Sequence, residues 1–266
     1  MTPRLDAELA ARGLARSRTH AAGVIADGLV RVDGRPVVKP SFPVDAGTLI
    51  ELDGADHYVS RAAHKLIAAL DAFGIDAAGR AALDMGASTG GFTQVLRERG
   101  ADPVLAVDVG HGQLAAPVAE DPGVIAVEGF NVRFMTARSL AEVAGRPFAP
   151  SIVTGDLSFI SLELVLPSVG EIVAEDTDVV LLIKPQFEVG RTAVRGGLVT
   201  DAALRADAVS RVLWRAWDLG LRTRGLIGSP IVGTHGNSEY VVHLGRHGGG
   251  IPTEWESTVI ELTGVR

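Results

Sequence analysis

The sequence predicts an α/β protein, in which a doubly wound, mostly parallel sheet of seven strands follows a small N-terminal α+β unit. Three observations predict it. From Ala81 onward, short apolar runs alternate with helical stretches, which is how βα units cover a sheet on both faces. A glycine-rich turn, Gly86-Ala87-Ser88-Thr89-Gly90-Gly91, follows the first of these runs. Charge also divides the chain: residues 1–40 hold seven basic and four acidic side chains, leaving 18 and 28 for the remainder.

The basic N-terminal unit reads as two short helices and a hairpin. Leu5 and Leu9 lie one turn apart, and Gly13 ends that segment. Ser17 caps a second helix carrying Ala21, Val24 and Ile25, which Asp27-Gly28 stops. Val30 and Val32 alternate with charges, Asp33-Gly34 forms a tight turn, and Val37-Val38 return. Residues 47–52 supply a third strand. The expected organisation is residues 1–55 as the small unit, 56–60 as linker and 61–266 as the α/β domain.

In that domain the expected strands are Ala82–Met85, Val104–Val109, Val124–Val127, Ile152–Thr154, Val179–Ile183, Gly225–Ile227 and Tyr240–Leu244. A helix over 201–219 places Leu204, Ala208, Val212 and Ala216 on one stripe. Near the C-terminus, Thr253 and Glu256 read as a capping box for a helix that packs Trp255, Val259 and Leu262.

Composition bounds the function. With 47% apolar and 21% charged residues the chain can build a core. The absence of cysteine excludes a disulfide scaffold, a thiolate metal site and a cysteine nucleophile, and no metal is expected. The longest stretch without Asp, Glu, Lys or Arg is Gly225–Ser238, 14 residues, against the roughly 20 that cross a bilayer. The opening MTPRLDAELAARG carries Asp6 and Glu8 and lacks an apolar signal core, so a cytoplasmic protein without membrane attachment is the expectation.

In doubly wound sheets, ligands bind beyond the carboxyl ends of the strands. After the first strand comes Asp84-Met85-Gly86-Ala87-Ser88-Thr89-Gly90-Gly91-Phe92, where glycines allow close approach of backbone and ligand. Asp108 ends the second strand, where a carboxylate can accept from ribose hydroxyls, and Asn131, past the third, can contact an adenine. The turn departs from the G-x-G-x-x-G spacing of dinucleotide sites, and Asp84 can face an ammonium. That favours S-adenosyl-L-methionine, with candidate contacts at Asp84, Gly86, Ser88, Thr89, Gly90, Gly91, Phe92, Asp108 and Asn131.

Four polar residues suggest chemistry. Asp156 follows the fourth strand, Lys184 the fifth, Glu239 precedes the last, and Lys65 lies on a helix entering the domain. Each alone has an ordinary explanation: a snorkelling lysine, a turn cap, a surface ion pair. A ribose 2′-hydroxyl stays protonated at neutral pH. A lysine removes its proton only if its own pKa falls from about 10.4 towards about 7–8. Two lysines and two carboxylates in one pocket permit such tuning.

Residues 4–52 resemble the small RNA-binding domain of the ribosomal protein S-four type, through Ser17-Arg18, the GLVRVDG turn and the later Lys39-Pro40. That resemblance makes Arg4, Arg16, Arg18, Arg35 and Lys39 the candidates for RNA phosphate contacts. The order Lys65, Asp156, Lys184, Glu239, with DMGASTGGFT, DVGHGQL, DLSFIS and KPQFEVG, closely resembles the TlyA family. These are ribosomal RNA 2′-O-methyltransferases with an FtsJ-like catalytic domain of the Rossmann-like class I methyltransferase fold. The resemblance implies a Lys-Asp-Lys-Glu catalytic tetrad at those four positions, S-adenosyl-L-methionine as donor and a cytidine ribose as acceptor. Its implied partner is ribosomal RNA of the large subunit (23S) and, in longer members, also of the small subunit (16S). It further implies an influence on sensitivity to cyclic-peptide ribosome antibiotics. The sequence departs from the family at Asp56-His57-Tyr58-Val59, where some members have Arg-x-Trp-Val, and at His111, where some have tyrosine. Three other readings compete. A membrane-lytic protein, suggested by the family's hemolysin label, is opposed by the lack of a spanning segment or a strongly basic amphipathic helix. An idle RNA-binding assembly factor is opposed by the complete tetrad, and a small-molecule methyltransferase by the basic N-terminal unit.

Overall fold

The computed structural model describes residues 3–15, 17–26, 28–45, 47–52, 57–190, 194, 196–233 and 236–265. The chain divides into two units, Met1–His57 and Tyr58–Arg266.

In the first unit, α1 (Leu5–Ala11) and α2 (Arg18–Ala26) pack over a three-stranded antiparallel sheet of β1 (Val30–Val32), β2 (Arg35–Pro36) and β3 (Ile50–Leu52), in the order β2-β1-β3. Leu5, Leu9, Ala21, Ile25, Val30 and Val44 form its buried core. The Ser17 hydroxyl accepts from the His20 N–H at 3.1 Å, so the expected cap of α2 is present. Asp33 and Gly34 both have positive φ, 49° and 77°, the signature of a type I′ hairpin turn. The returning strand is shorter than expected. Pairing ends at Pro36, and Val37 adds one N–H bond to the Val30 carbonyl.

The second unit is built on a seven-stranded sheet. In chain order its elements are α3 (Ala63–Phe73), β4 (Ala82–Met85), α4 (Gly91–Glu98), β5 (Val104–Val107), α5 (Ala116–Ala119), β6 (Val124–Val127), α6 (Ala137–Ala144), β7 (Ile152–Gly155), α7 (Leu162–Ile172), β8 (Asp178–Ile183), α8 (Pro185–Glu188), α9 (Ala202–Asp218), β9 (Arg222–Gly228), β10 (Tyr240–Gly245) and α10 (Glu256–Thr263). The strand order is β6-β5-β4-β7-β8-β10-β9. β4 to β8 pair in parallel, and β10 runs antiparallel to both β8 and β9.

The central strands β4, β5 and β7 are buried throughout because both faces are covered. Val179, Leu181 and Ile183 enter one core with α7 and α9 residues such as Val165, Val209 and Leu213. Val180 and Leu182 enter the other, with Leu66 and Leu70 of α3 and Val95 and Leu96 of α4. The chain runs outward from β4 to β6 and then returns to β7. That reversal opens a crevice between the carboxyl ends of β4 and β7, which are paired in register as Met85 and Gly155.

Three expectations change. The second strand ends at Val107 because Asp108 and Gly110 turn back, with the Asp108 carboxylate accepting the Gly110 N–H at 2.7 Å. The strand expected over Gly225–Ile227 extends over Arg222–Gly228. The Thr253–Glu256 capping box does not form: Pro252 starts a 3₁₀ turn, Pro252–Trp255, and α10 begins at Glu256 without a side-chain cap. Val259 is nevertheless buried, with Trp255 and Leu262 packed against the same core. Among the described residues no helix is long and apolar enough to cross a membrane, and no group of three or more His, Asp or Glu could hold a metal ion.

Candidate active site

The Lys-Asp-Lys-Glu quartet comes together. Lys65 lies in the first turn of α3, Asp156 immediately follows β7, Lys184 immediately follows β8, and Glu239 immediately precedes β10. Because β10 alone runs against its neighbours, its start, rather than its end, meets the carboxyl edge of the parallel strands. The Lys65 Nζ donates to Glu239 Oε2 at 2.7 Å and to Asp156 Oδ2 at 3.1 Å. Lys184 Nζ lies 2.7 Å from Asp156 Oδ1 and donates to the Ser158 hydroxyl at 3.0 Å. Both lysines and Glu239 are buried.

Desolvating four ions costs several kcal/mol each before pairing repays it, and such a cluster is a poor way to stabilise a fold. Two ammonium and two carboxylate groups balance to zero net charge. Burial pushes the Asp156 carboxyl up, but Lys184 and Lys65 outweigh it and hold the group below its ordinary range. Asp156 is therefore an anion between two cations.

Two cavities meet at this cluster. A smaller one, about 230 Å³, is lined by Lys65, Asp156, Lys184 and Glu239 together with Gly86, Ser88, Thr89, Gly91 and Phe92 of the glycine turn. A larger one, about 520 Å³, is lined by Asp108, Asn131, Phe130, Val132, Leu157 and Ile160. Gly86, Ser88, Asp156 and Ser158 belong to the walls of both. An apolar cavity with a carboxylate at one strand end and an amide at the next suits a nucleoside. Its opening onto a polar, charge-balanced cavity suits a nucleoside with a reactive tail.

The remaining predicted residues divide. Asp108 holds its turn rigid by accepting the Ser88 N–H at 2.8 Å as well as that of Gly110. The Asn131 carboxamide accepts from the Arg133 N–H at 3.0 Å. Asp84 and Gly90 line neither cavity. Asp84 is 1% exposed and accepts from the hydroxyls of Thr93 at 2.6 Å and Thr154 at 3.1 Å. Burial pushes its carboxyl up to about 6. It pins the first turn of α4 from beneath the glycine loop. Gly90, at φ 96°, packs where a Cβ would stand 2.9 Å from Leu114 and Val118. Gly91 is equally constrained, since a Cβ there would lie 2.9 Å from that of Ser60.

Of the RNA candidates, Arg4 forms a two-pronged pair with Asp6, both contacts 3.0 Å, and Arg18 reaches the same carboxylate at 3.3 Å. Arg35 and Lys39 are exposed, and Arg16 lies outside the described residues. So does Asp56 of the departing linker. Tyr58 packs edge-on against His64 with ring centroids 5.7 Å apart, and the Val59 N–H donates to Gln94 at 2.9 Å.

Sequence reasoning missed Ser158, which accepts from Lys184, and Gly233, which faces Glu239. Ser158 could have been found two residues beyond Asp156; nothing local marks Gly233.

Comparison with known proteins divides the chain in the same way. Residues 58–246 match the FtsJ-like methyltransferase family and residues 3–50 the S4 domain. The 16S/23S rRNA (cytidine-2′-O)-methyltransferase TlyA of Mycobacterium tuberculosis is 49% identical over 244 residues, 91% of this chain and 89% of that one. Hemolysin A of Brachyspira hyodysenteriae is 36% identical over 242 residues, 91% of this chain and 99% of its own. A solved structure from Streptococcus thermophilus, also bearing a hemolysin label, superposes with a TM-score of 0.77 at 35% identity, covering 99% of this chain and 96% of that one.

Proposed function

Because the chain belongs to the FtsJ-like methyltransferase family and carries an S4 domain, we propose that it methylates the ribose 2′-oxygen of a cytidine in ribosomal RNA. It is a methyltransferase that uses S-adenosyl-L-methionine, and the cofactor supplies an electrophilic methyl group on a sulfonium. The observation that carries the reading is the closed quartet of Lys65, Asp156, Lys184 and Glu239 on the wall of the glycine-turn cavity.

Asp108 and Asn131 would hold the nucleoside part of the cofactor, and Gly86, Ser88, Thr89, Gly91 and Phe92 would line the path of its methionine tail. Asp84 would act on that tail through the turn it pins rather than by contact. Lys184 is the group nearest the reacting proton. As a free amine, Nζ directs its two protons to Asp156 and Ser158, and its lone pair, in the remaining direction, accepts the ribose hydroxyl proton as the oxygen takes the methyl group. Lys65, fixed by Asp156 and Glu239, completes the pocket and polarises the oxygen. The catalytic contribution is mainly orientation of the hydroxyl for in-line attack. Arg4, Arg16, Arg18, Arg35 and Lys39 would contribute phosphate contacts, which position RNA without reading sequence. Large-subunit 23S RNA is the principal substrate; small-subunit 16S RNA is the second.

Lys184→Ala is expected to abolish transfer of tritiated methyl groups to ribosomal subunits while cofactor affinity, measured by calorimetry, stays within about threefold. Retained affinity also reports a folded protein. Wild-type incorporation by that variant would remove the mechanism. Separate assays on 50S and 30S subunits, followed by mapping of 2′-O-methyl positions, decide the substrate.

A further inference from the structure

The turn that follows β8 carries more than a lysine. Lys184 is the N-cap of α8, the single turn Pro185–Glu188. Lys184, Phe187 and Glu188 stand at i, i+3 and i+4, so they share one face. That face engages the loop after β7 in register. Lys184 takes Asp156 and Ser158. The Phe187 ring lies 5.4 Å from that of Phe159. Glu188 accepts the Ser161 hydroxyl at 2.5 Å and the Leu162 N–H at 2.9 Å.

Glu188 is buried, with 7% of its surface exposed, and the mechanism does not use it. Burying a carboxylate is costly unless hydrogen bonds replace its lost hydration, and here both of the replacing bonds come from the end of the β7 loop and the start of α7. Its bonds hold the start of α7, where the Ser161 hydroxyl in turn accepts from the Glu163 N–H, so the carboxylate ties the end of the β7 loop to the β8 turn. The loop it holds is strained: Phe159 sits at φ 65° without being glycine, a conformation that persists only when its surroundings enforce it. The Arg211 guanidinium of α9 donates to the Glu188 carbonyl, fixing the clamp from its other side.

We propose that Glu188 is a positioning residue for methyl transfer, which ties the β7 loop to the β8 turn and thereby sets the spacing between Asp156 and Lys184. The proposal rests on the methyltransferase reading above, and its test is arranged to fail separately. Without the clamp, the loop end at Ser161 is released, Phe159 relaxes, and Asp156 no longer meets the Lys184 ammonium at one fixed distance.

Three quantities are measured on full-length protein: kcat and KM for ribosomal subunits, cofactor affinity and site number by calorimetry, and acylation of Lys184 by an amine reagent read by peptide mass spectrometry. Glu188→Ala is expected to lower kcat about 10–100-fold, the scale of a misplacement near 1 Å. KM and cofactor affinity stay within about twofold, and Lys184 labels faster. Glu188→Gln keeps one acceptor for the Leu162 N–H and a donor for the Ser161 hydroxyl, and should recover kcat to within about threefold of wild type. Ser161→Ala decides the matter if the alanine variant does not fold: it removes one clamp contact and should lower kcat several-fold. Wild-type kcat in Glu188→Ala or Ser161→Ala overturns the proposal. So does a loss explained wholly by fewer cofactor sites per molecule, or a glutamine variant as impaired as the alanine one. If wild-type protein itself transfers no methyl to RNA, the functional reading fails, while Lys184 labelling still reports whether Glu188 holds the pair.

Discussion

Glu239 owes its position to an absence. A Cβ on Gly233 would lie 2.0 Å from Glu239 Oε1, so the carboxylate occupies the space where a side chain would stand. Gly233→Ala is expected to push Glu239 off Lys65 and lower methyl transfer at least about tenfold. Cofactor affinity should be nearly unchanged, and equal activity would show that the contact is dispensable. Asp156 and Lys184 stood out in the sequence because each directly follows a strand, where ligands bind; the four charged residues were joined into one set by the family resemblance. Gly233 and Glu188 did not stand out, since their partners are distant in sequence or across a loop. Asp84 was expected to face the cofactor; strand side chains alternate, and its place in that alternation points it under α4, onto Thr93.

At the level of elements, the strands of the α/β unit were readable because burial on both faces makes them continuously apolar, as in Val179–Ile183. Helix starts were harder. Ser17 does cap α2, but Thr253 does not cap α10, because Pro252 commits the chain to a 3₁₀ turn first. Unforeseen was the box at α6, where the Thr136 hydroxyl accepts from the Ser139 N–H at 3.1 Å and the Ser139 hydroxyl from the Thr136 N–H at 2.9 Å. Serine in place of the usual Glu or Gln hid it. Thr136→Ala should cost about 1 kcal/mol in urea denaturation; an unchanged midpoint would show that the cap contributes nothing.

For the catalytic unit as a whole, a second charge cluster lies at the opposite end of β8 from Lys184. Asp178, at the start of β8, accepts from Arg224 and pairs with Arg80, both at 2.9 Å, and lies 2.8 Å from His243 Nε2. Burial opposes its ionisation, but His243 and Arg80 outweigh that and bring its carboxyl down to about 2. A carboxylate lowered in the folded state stabilises above its unfolded pKa, and that stability drains away as pH falls towards about 2. The melting temperature should therefore drop between pH 4 and pH 2, and Asp178→Asn should flatten that slope while lowering stability at pH 7. An identical slope in the variant would exclude Asp178 as its source. The sheet order was not legible, because the reversed last strand depends on pairing over long sequence distance rather than on any local pattern.

That reversed strand has a consequence for when the enzyme exists. Lys65 and Glu239 are 174 positions apart, and β10 must insert between β8 and β9 before they can meet. Contacts of such separation form late. A growing chain thus presents its glycine turn and two lysines before the final carboxylate is made, and the quartet closes only once β10 is in place.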